Sequence, residues 1–245
     1  MSIYKNPTII KIGDFFFKYR NKVFPLIIAI LFIISPPPSD LFHSENLETI
    51  KDWLAIAISL SGLFVRGLVI GFAYIKRGGK NKEVYADNLV TEGMFTICRN
   101  PLYFGNMLIY SGIFLLHGAP LVVFGGIALF YFIYICIIAT EEKYLRNKFG
   151  KEYDAYATKT NRWIIDFSKF RKATAGMYFN FKKVIIKDYP TIFTTLLIIL
   201  VVEMYKQYVN EAGSVSPIFI VLSLVCLALM GVIRYLKKKK IITFE

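Results

Sequence analysis

The chain has 245 residues, 56% of them hydrophobic and 16% aromatic, with a formal net charge of +13. That is more apolar and less charged than a soluble domain of this size. Its Lys and Arg lie between long apolar runs, which points the positive charge at an anionic membrane leaflet and away from nucleic acid.

Six apolar segments follow in chain order: roughly 23–35, 53–75, 102–117, 120–140, 190–209 and 216–236. In lipid each backbone N–H and C=O must be satisfied within its own segment, so such runs read as helices. About 20 helical residues cross the hydrocarbon core. The second, fourth, fifth and sixth segments reach that length. The third is shorter, and the first is short unless Phe15 to Tyr19 extend it. After the first comes Ser35-Pro36-Pro37-Pro38, which is no small-residue cleavage site, so a retained helix is expected rather than a signal peptide. The expected fold is all-α: a polytopic integral membrane protein with about six transmembrane helices and a cytoplasmic amphipathic segment. Three parts are expected: membrane helices and a basic loop over 1–80, a helical hairpin with a cytoplasmic site over 81–165, and a basic interfacial segment with two further helices over 166–245.

Charge orients these spans. Lys5, Lys11, Lys18, Arg20 and Lys22 precede the first, and Lys76, Arg77, Lys80, Lys82 and Arg99 follow the second. About a dozen Lys and Arg lie in 141–189, and Arg234 and Lys237 to Lys240 close the chain. The alternate connections offer only Lys51 and Lys206. Six spans put every basic stretch on one side, which the positive-inside rule makes cytoplasmic, with both termini there. The compact size and lack of a targeting signal lean towards a bacterial inner membrane. Cys98, Cys136 and Cys226 show no metal-type spacing, and Cys98 is expected to be a bystander.

The most informative stretch opens the third helix. In Arg99-Asn100-Pro101-Leu102-Tyr103-Phe104-Gly105, Asn100 is expected as N-cap and Pro101 as first helical residue. Such a helix start presents free N–H groups and partial positive charge, which suit a carboxylate or phosphate. The short His117-Gly118-Ala119-Pro120 turn makes helices three and four antiparallel neighbours, so Glu141 and Glu142 return to the level of Asn100 and Pro101. Together they form a cradle for a zwitterion with an amino group and a carboxylate. Singly, the first piece reads as a capped helix start. The second reads as a solvated helix end paired with Lys143 or Arg146, although carboxylates there oppose the macrodipole. The stretch from Phe149 to Trp163 reads as an interfacial amphipathic helix, and 166–189, basic and aromatic, as lying on the inner leaflet.

Arg66 falls mid-helix in the second span, where charge is expensive and faces the bundle interior or a watery cavity. It contacts an anionic lipid headgroup on one reading. On the other it is a structural pair, with Glu203 as one candidate partner. Gly62, Gly67 and Gly71 nearby read as close helix packing.

As an ordered set, Gly93, Arg99-Asn100-Pro101, Tyr103 and Gly105, then Glu141-Glu142, Leu145, Phe149-Gly150, Tyr153 and Tyr156, then Arg162, resembles the isoprenylcysteine carboxyl methyltransferase and phospholipid methyltransferase superfamily, over about 85–165. Arg66 and the Gly78-Gly79 loop leading to Ala86-Asp87 look like its bacterial membrane branch. The resemblance implies an S-adenosylmethionine-dependent methyltransferase acting on a membrane lipid or lipidated substrate. It implies that Asn100, Pro101, Tyr103 and Gly105, with Glu141 and Glu142, bind the donor, and that Arg162 lies near the acceptor. Arg99 and Arg66 are the further basic candidates for the acceptor side. The family more often has His where Asn100 stands, and Pro a few residues after the arginine, where this chain has Ile164-Ile165. His43 and His117, the two histidines, fall on the outer side in this topology, which favours O-methylation of a carboxylate or phosphate over N-methylation of an amine. An NADPH-dependent membrane reductase and a non-catalytic transporter or lipid-binding protein are the alternatives. The first fits poorly with Glu141-Glu142, and the second leaves the ordered motifs unexplained.

Overall fold

The computed structural model describes residues 6–39, 44–72, 86 and 88–243. Lys5, His43, Lys76, Arg77, Gly78, Gly79, Lys80, Lys82 and Asp87 lie outside them. Every regular element described is helical. Helix α1 spans Pro7–Ile34, started by Asn6, whose side chain accepts the N–H groups of Thr8 and Ile9. Helix α2 spans Glu45–Phe72, with Glu45 and Glu48 in its first turn. Helix α3 (Pro101–His117) stops at Gly118, whose φ of +85° places it in the left-handed region that favours glycine. A π-helical segment, Leu121–Gly126, runs straight into α4 (Ile127–Phe149). The short α5 (Lys151–Lys159) and α6 (Phe170–Ala173) precede the long α7 (Phe181–Asn210) and α8 (Pro217–Lys238).

The six long helices alternate in direction. Helix α1 runs against α4: Thr140 Oγ1 donates to the Ile10 carbonyl (3.1 Å) at one end, and Phe24 packs on Phe130 (4.9 Å) and Tyr134 (5.9 Å) further along. Helix α2 runs against α3, with Gly62 beside Gly105 and Ala55 beside Gly112. It also runs against α7, where Arg66 meets Asp188 at one end and Asp52 meets Lys206 at the other. Helix α8 returns along α7, so residues 6 and 243 lie at one end of the bundle, the end where α3 begins.

Helices α2, Leu121–Phe149, α7 and α8 are long and apolar enough to cross a membrane. Helix α3 has 17 residues, and α1 carries charge as far along as Lys22. The helices outrun the apolar segments because a turn that carries Lys or Arg remains a good helix; α1 begins at Pro7, well before the apolar run. Lys51 and Lys206 are not connection residues. Both are buried within helices, Lys206 Nζ 2.7 Å from Glu48 Oε1 and 2.5 Å from Asp52 Oδ2, Lys51 Nζ 2.6 Å from Glu48 Oε1. The end opposite the termini therefore has its lysines neutralised, which sharpens the charge asymmetry along the bundle.

The α2–α3 crossing depends on missing side chains. A Cβ on Gly62 would lie 2.5 Å from the Gly105 carbonyl oxygen and 2.9 Å from the Ile109 nitrogen, both backbone atoms that cannot swing aside. Gly71 meets the Phe179 ring, whereas Gly67 has only Val184 within reach, at 3.7 Å. Gly62→Ala is expected to lower stability by about 1–3 kcal/mol, the usual cost of overpacking, read as a lower melting temperature in detergent.

Candidate functional site

At the end where α3 begins, a cavity of about 850 Å³ lies among α1, α3, α4, α7 and the 88–99 connection. That is the size of a small-molecule site. Asn100 occupies the N-cap position, but its side chain makes no capping bond. Its Nδ2 donates instead to the Arg162 carbonyl (3.1 Å), while the Arg99 N–H donates to the Asn161 carbonyl (2.8 Å). The residue expected to cap α3 thus ties the 161–163 stretch to it and leaves the first N–H groups of the helix without a side-chain cap. Beside it, burial pushes the Cys98 thiol up to about 11, which keeps it protonated and unreactive at neutral pH.

The two adjacent carboxylates differ in their surroundings. Glu142 is 3% exposed and accepts both arms of Arg162, Nε at 2.9 Å and Nη2 at 2.7 Å, with Arg99 Nη2 at 3.4 Å. Because α4 runs on to Phe149, about two turns past Glu142, this carboxylate is clear of the helix C-terminus, contrary to the expected helix end, and the fork balances its burial instead. Lys143 is exposed and Arg146 pairs with Asp154 (2.6 Å), so neither holds Glu142. Glu141 accepts the Tyr103 hydroxyl (2.6 Å), and that hydroxyl accepts from Arg20 Nη1 (3.3 Å). Arg20 lies over the Phe17 ring at 4.7 Å. Arg99 keeps a buried Nε with no partner.

Further along the cavity, Arg66 Nε donates to Asp188 Oδ2 (3.0 Å), Nη2 to Asp188 Oδ1 and to Thr191 Oγ1 (3.3 Å), and Nη1 to Asn106 Oδ1 (2.7 Å). Its counter-ion is Asp188, not Glu203. Glu203 lies fifteen residues further along α7, roughly 22 Å at 1.5 Å per residue, towards the Lys206 end. Four of the five guanidinium donors are engaged, so Arg66 faces the cavity charge-compensated, with one N–H in reserve.

The cavity thus brings together Arg66, Arg99, Asn100, Pro101, Tyr103, Glu141 and Glu142. Gly105 is not in its lining; it sits in the α2–α3 crossing, where a Cβ would come within 2.7 Å of Arg66 Cγ. Arg162 lies on the other side of Glu142, in a space of about 230 Å³ with Tyr131 and Trp163. The sequence reading missed Arg20, Asn106 and the α7 wall of Pro190, Thr191, Thr194 and Ile198. Asn106 had a signal: Tyr103, Asn106 and Tyr110 share a face at helical spacing.

Residues 55–152 match the family model described as "Phospholipid methyltransferase". This segment, which runs from α2 to the start of α5 and makes up 98 of the 245 residues, is similar to the phospholipid methyltransferase family, and the four helices of membrane-spanning length and apolarity mark an integral membrane protein. The matched residues contain Arg66, Arg99 to Gly105, Glu141 and Glu142, but stop short of Arg162 and exclude α1, α7 and α8. No curated protein and no solved structure matches the chain.

Proposed function

We propose that this protein transfers a methyl group from S-adenosylmethionine to an anionic oxygen of a membrane lipid. The observation that carries the reading is the coexistence, in the lining of one cavity, of Arg99, whose buried Nε has no hydrogen-bond partner, the uncapped α3 start and the Glu141–Glu142 pair. These fit the donor's amino-acid end. Arg99 and the first N–H groups of α3 would hold its carboxylate, and Glu141 with Glu142 its ammonium group. When bound, the donor supplies a methyl group on a sulfonium, already activated for in-line displacement. The protein's part is to position and to exclude water, a task for Leu89, Val90, Phe95 and Leu145 in the cavity wall.

An anionic oxygen brings its own electron pair and needs no base. The cavity offers it hydrogen-bond donors in Arg20 and in the unused N–H of Arg66, whose charge Asp188 balances. His117, the histidine among the described residues, is buried at the opposite end against the Phe32 ring (4.2 Å). A second reading, N-methylation, draws on Glu141, a cavity carboxylate placed to take an amine proton.

In the membrane, all six long helices cross, with the basic end and both termini cytoplasmic. Exposed Ile164, Phe167, Tyr178 and Phe181, among Lys169, Arg171 and Lys172, rest on the anionic inner leaflet. In this arrangement the part expected over 81–165 shares its cavity with the parts on either side.

The test is titration calorimetry of the detergent-solubilised protein with S-adenosylmethionine, followed by labelled-methyl transfer into lipid extracts. Saturable binding and O-methylated lipid products, identified by mass spectrometry of the separated lipids, are expected. Base-stable methylamines would select the second reading, and no binding by folded protein would overturn both.

A further inference from the structure

Two helices outside the matched family segment, α1 and α7, frame one side of the cavity. They run in the same direction, because each is antiparallel to a neighbour that alternates with the other. At their far ends they meet: Tyr205 Oη donates to the Phe32 carbonyl (3.1 Å). Nearer their starts they diverge, and the cavity lies between Asn21, Phe24 and Pro25 on one and Pro190, Thr194 and Ile198 on the other. Asn21, Pro25, Pro190 and Thr194 are exposed even though they line the cavity, so the space opens between the two helices. Asn88, also exposed and also in the lining, marks a separate opening at the connection before α3.

Each edge carries a proline inside a helix, Pro25 in α1 and Pro190 in α7. A proline lacks the N–H that would serve the carbonyl four residues earlier. In α7 that carbonyl, Ile186, accepts Lys237 Nζ from α8 at 2.8 Å. Helix α7 is further pinned to α2 at both ends, by Asp188 on Arg66 and by Lys206 on Glu48 and Asp52. One edge is therefore anchored on α2 and α8 and the other on α4, with a wedge-shaped gap left between them.

We infer that this gap is a lateral doorway through which a bilayer lipid reaches the cavity, and that Thr194 and Asn21 set its width. The occupant is a membrane phospholipid: the opening lies between two helices, its deep wall is apolar at Ile109, Ile113 and Ile198, and its polar end holds arginines suited to a headgroup. The inference builds on the lipid-acceptor reading above but names the route and the residues that limit it.

Photo-cross-linking in nanodiscs tests it without requiring methyl transfer. The probe is a phosphatidylglycerol with a diazirine in its acyl chain, and adducts are mapped by mass spectrometry. Ile109 is 4% exposed and Ile113 fully buried, so adducts at either require a chain inside the cavity. Adducts at Ile109 or Ile113 are expected in the wild type. Thr194→Trp, and independently Asn21→Trp from the other edge, should reduce them at least fivefold and leave adducts on α8 unchanged. Leu224→Trp on the exposed face of α8 is the control and should change nothing. Adducts confined to the outer faces of α7 and α8, or interior adducts indifferent to both tryptophans, would overturn the doorway. Failure to bind S-adenosylmethionine would instead overturn the donor assignment and leave this result standing.

Discussion

Glu142→Gln is expected to lower methyl transfer at least about 100-fold, the scale on which one preorganised polar group matters in a water-excluded site, with donor affinity falling in parallel. Glu142 is buried and balances Arg162 and Arg99 together. Glutamine keeps the shape but offers one acceptor in place of a charged pair, so the fork of Arg162 loses its match. Glu142→Ala goes further. It strands two guanidinium groups, and breaking a buried pair in this way costs about 3–5 kcal/mol. The 161–163 stretch would then hang on backbone bonds, the Asn100 side chain, the Cys98 thiol and the Tyr131–Trp163 ring contact. Calorimetry beside a melting curve separates the effects. A Glu142→Gln protein that melts normally and binds no donor supports the site. Full donor affinity in that variant would move the ammonium partner to Glu141.

Asp188→Ala should likewise cost about 3–5 kcal/mol of stability, seen as early melting and poor recovery from membranes. Arg66 would keep Asn106 and Thr191 but lose its counter-ion. Asp188→Asn, which still accepts hydrogen bonds, should fall between. The double variant Arg66→Met with Asp188→Leu should recover most of the stability, because an apolar pair carries no desolvation penalty. Its turnover should stay low if Arg66 supplies a headgroup contact, and normal turnover would leave Arg66 a purely structural role.

The hairpin could be read from sequence because its evidence is local. A proline-started helix, a tight turn and two carboxylates one helix length back determine one another's level, and Tyr103 and Glu141 do meet across 38 residues, although α4 runs on two turns further, to Phe149. What escaped was whatever depended on a distant partner. Arg20 reads as an orienting charge until the fold lays it on Phe17 and against Tyr103. Glu203 looked a suitable partner for Arg66 because it is the carboxylate in the apolar heart of α7, whereas Asp188 precedes the apolar run; only the antiparallel register of α2 and α7 chooses between them. The cap expected from Asn100 failed for a similar reason, as a carbonyl 62 residues away claimed its side chain.

The Arg66–Asp188 pair also bears on how the protein is made. Its two members are 122 residues apart. At about 5–20 residues per second, roughly 6–24 seconds separate their synthesis. Throughout that interval α2 must reside at the insertion site with a guanidinium whose one partner already in the growing chain, once α3 emerges, is the neutral Asn106. Lys51 can neutralise Glu48 and Asp52 only in part until Lys206 arrives. With the spans oriented as proposed, the chain would commit to that orientation before its interior charges are matched, and α7 is the late helix that completes the match.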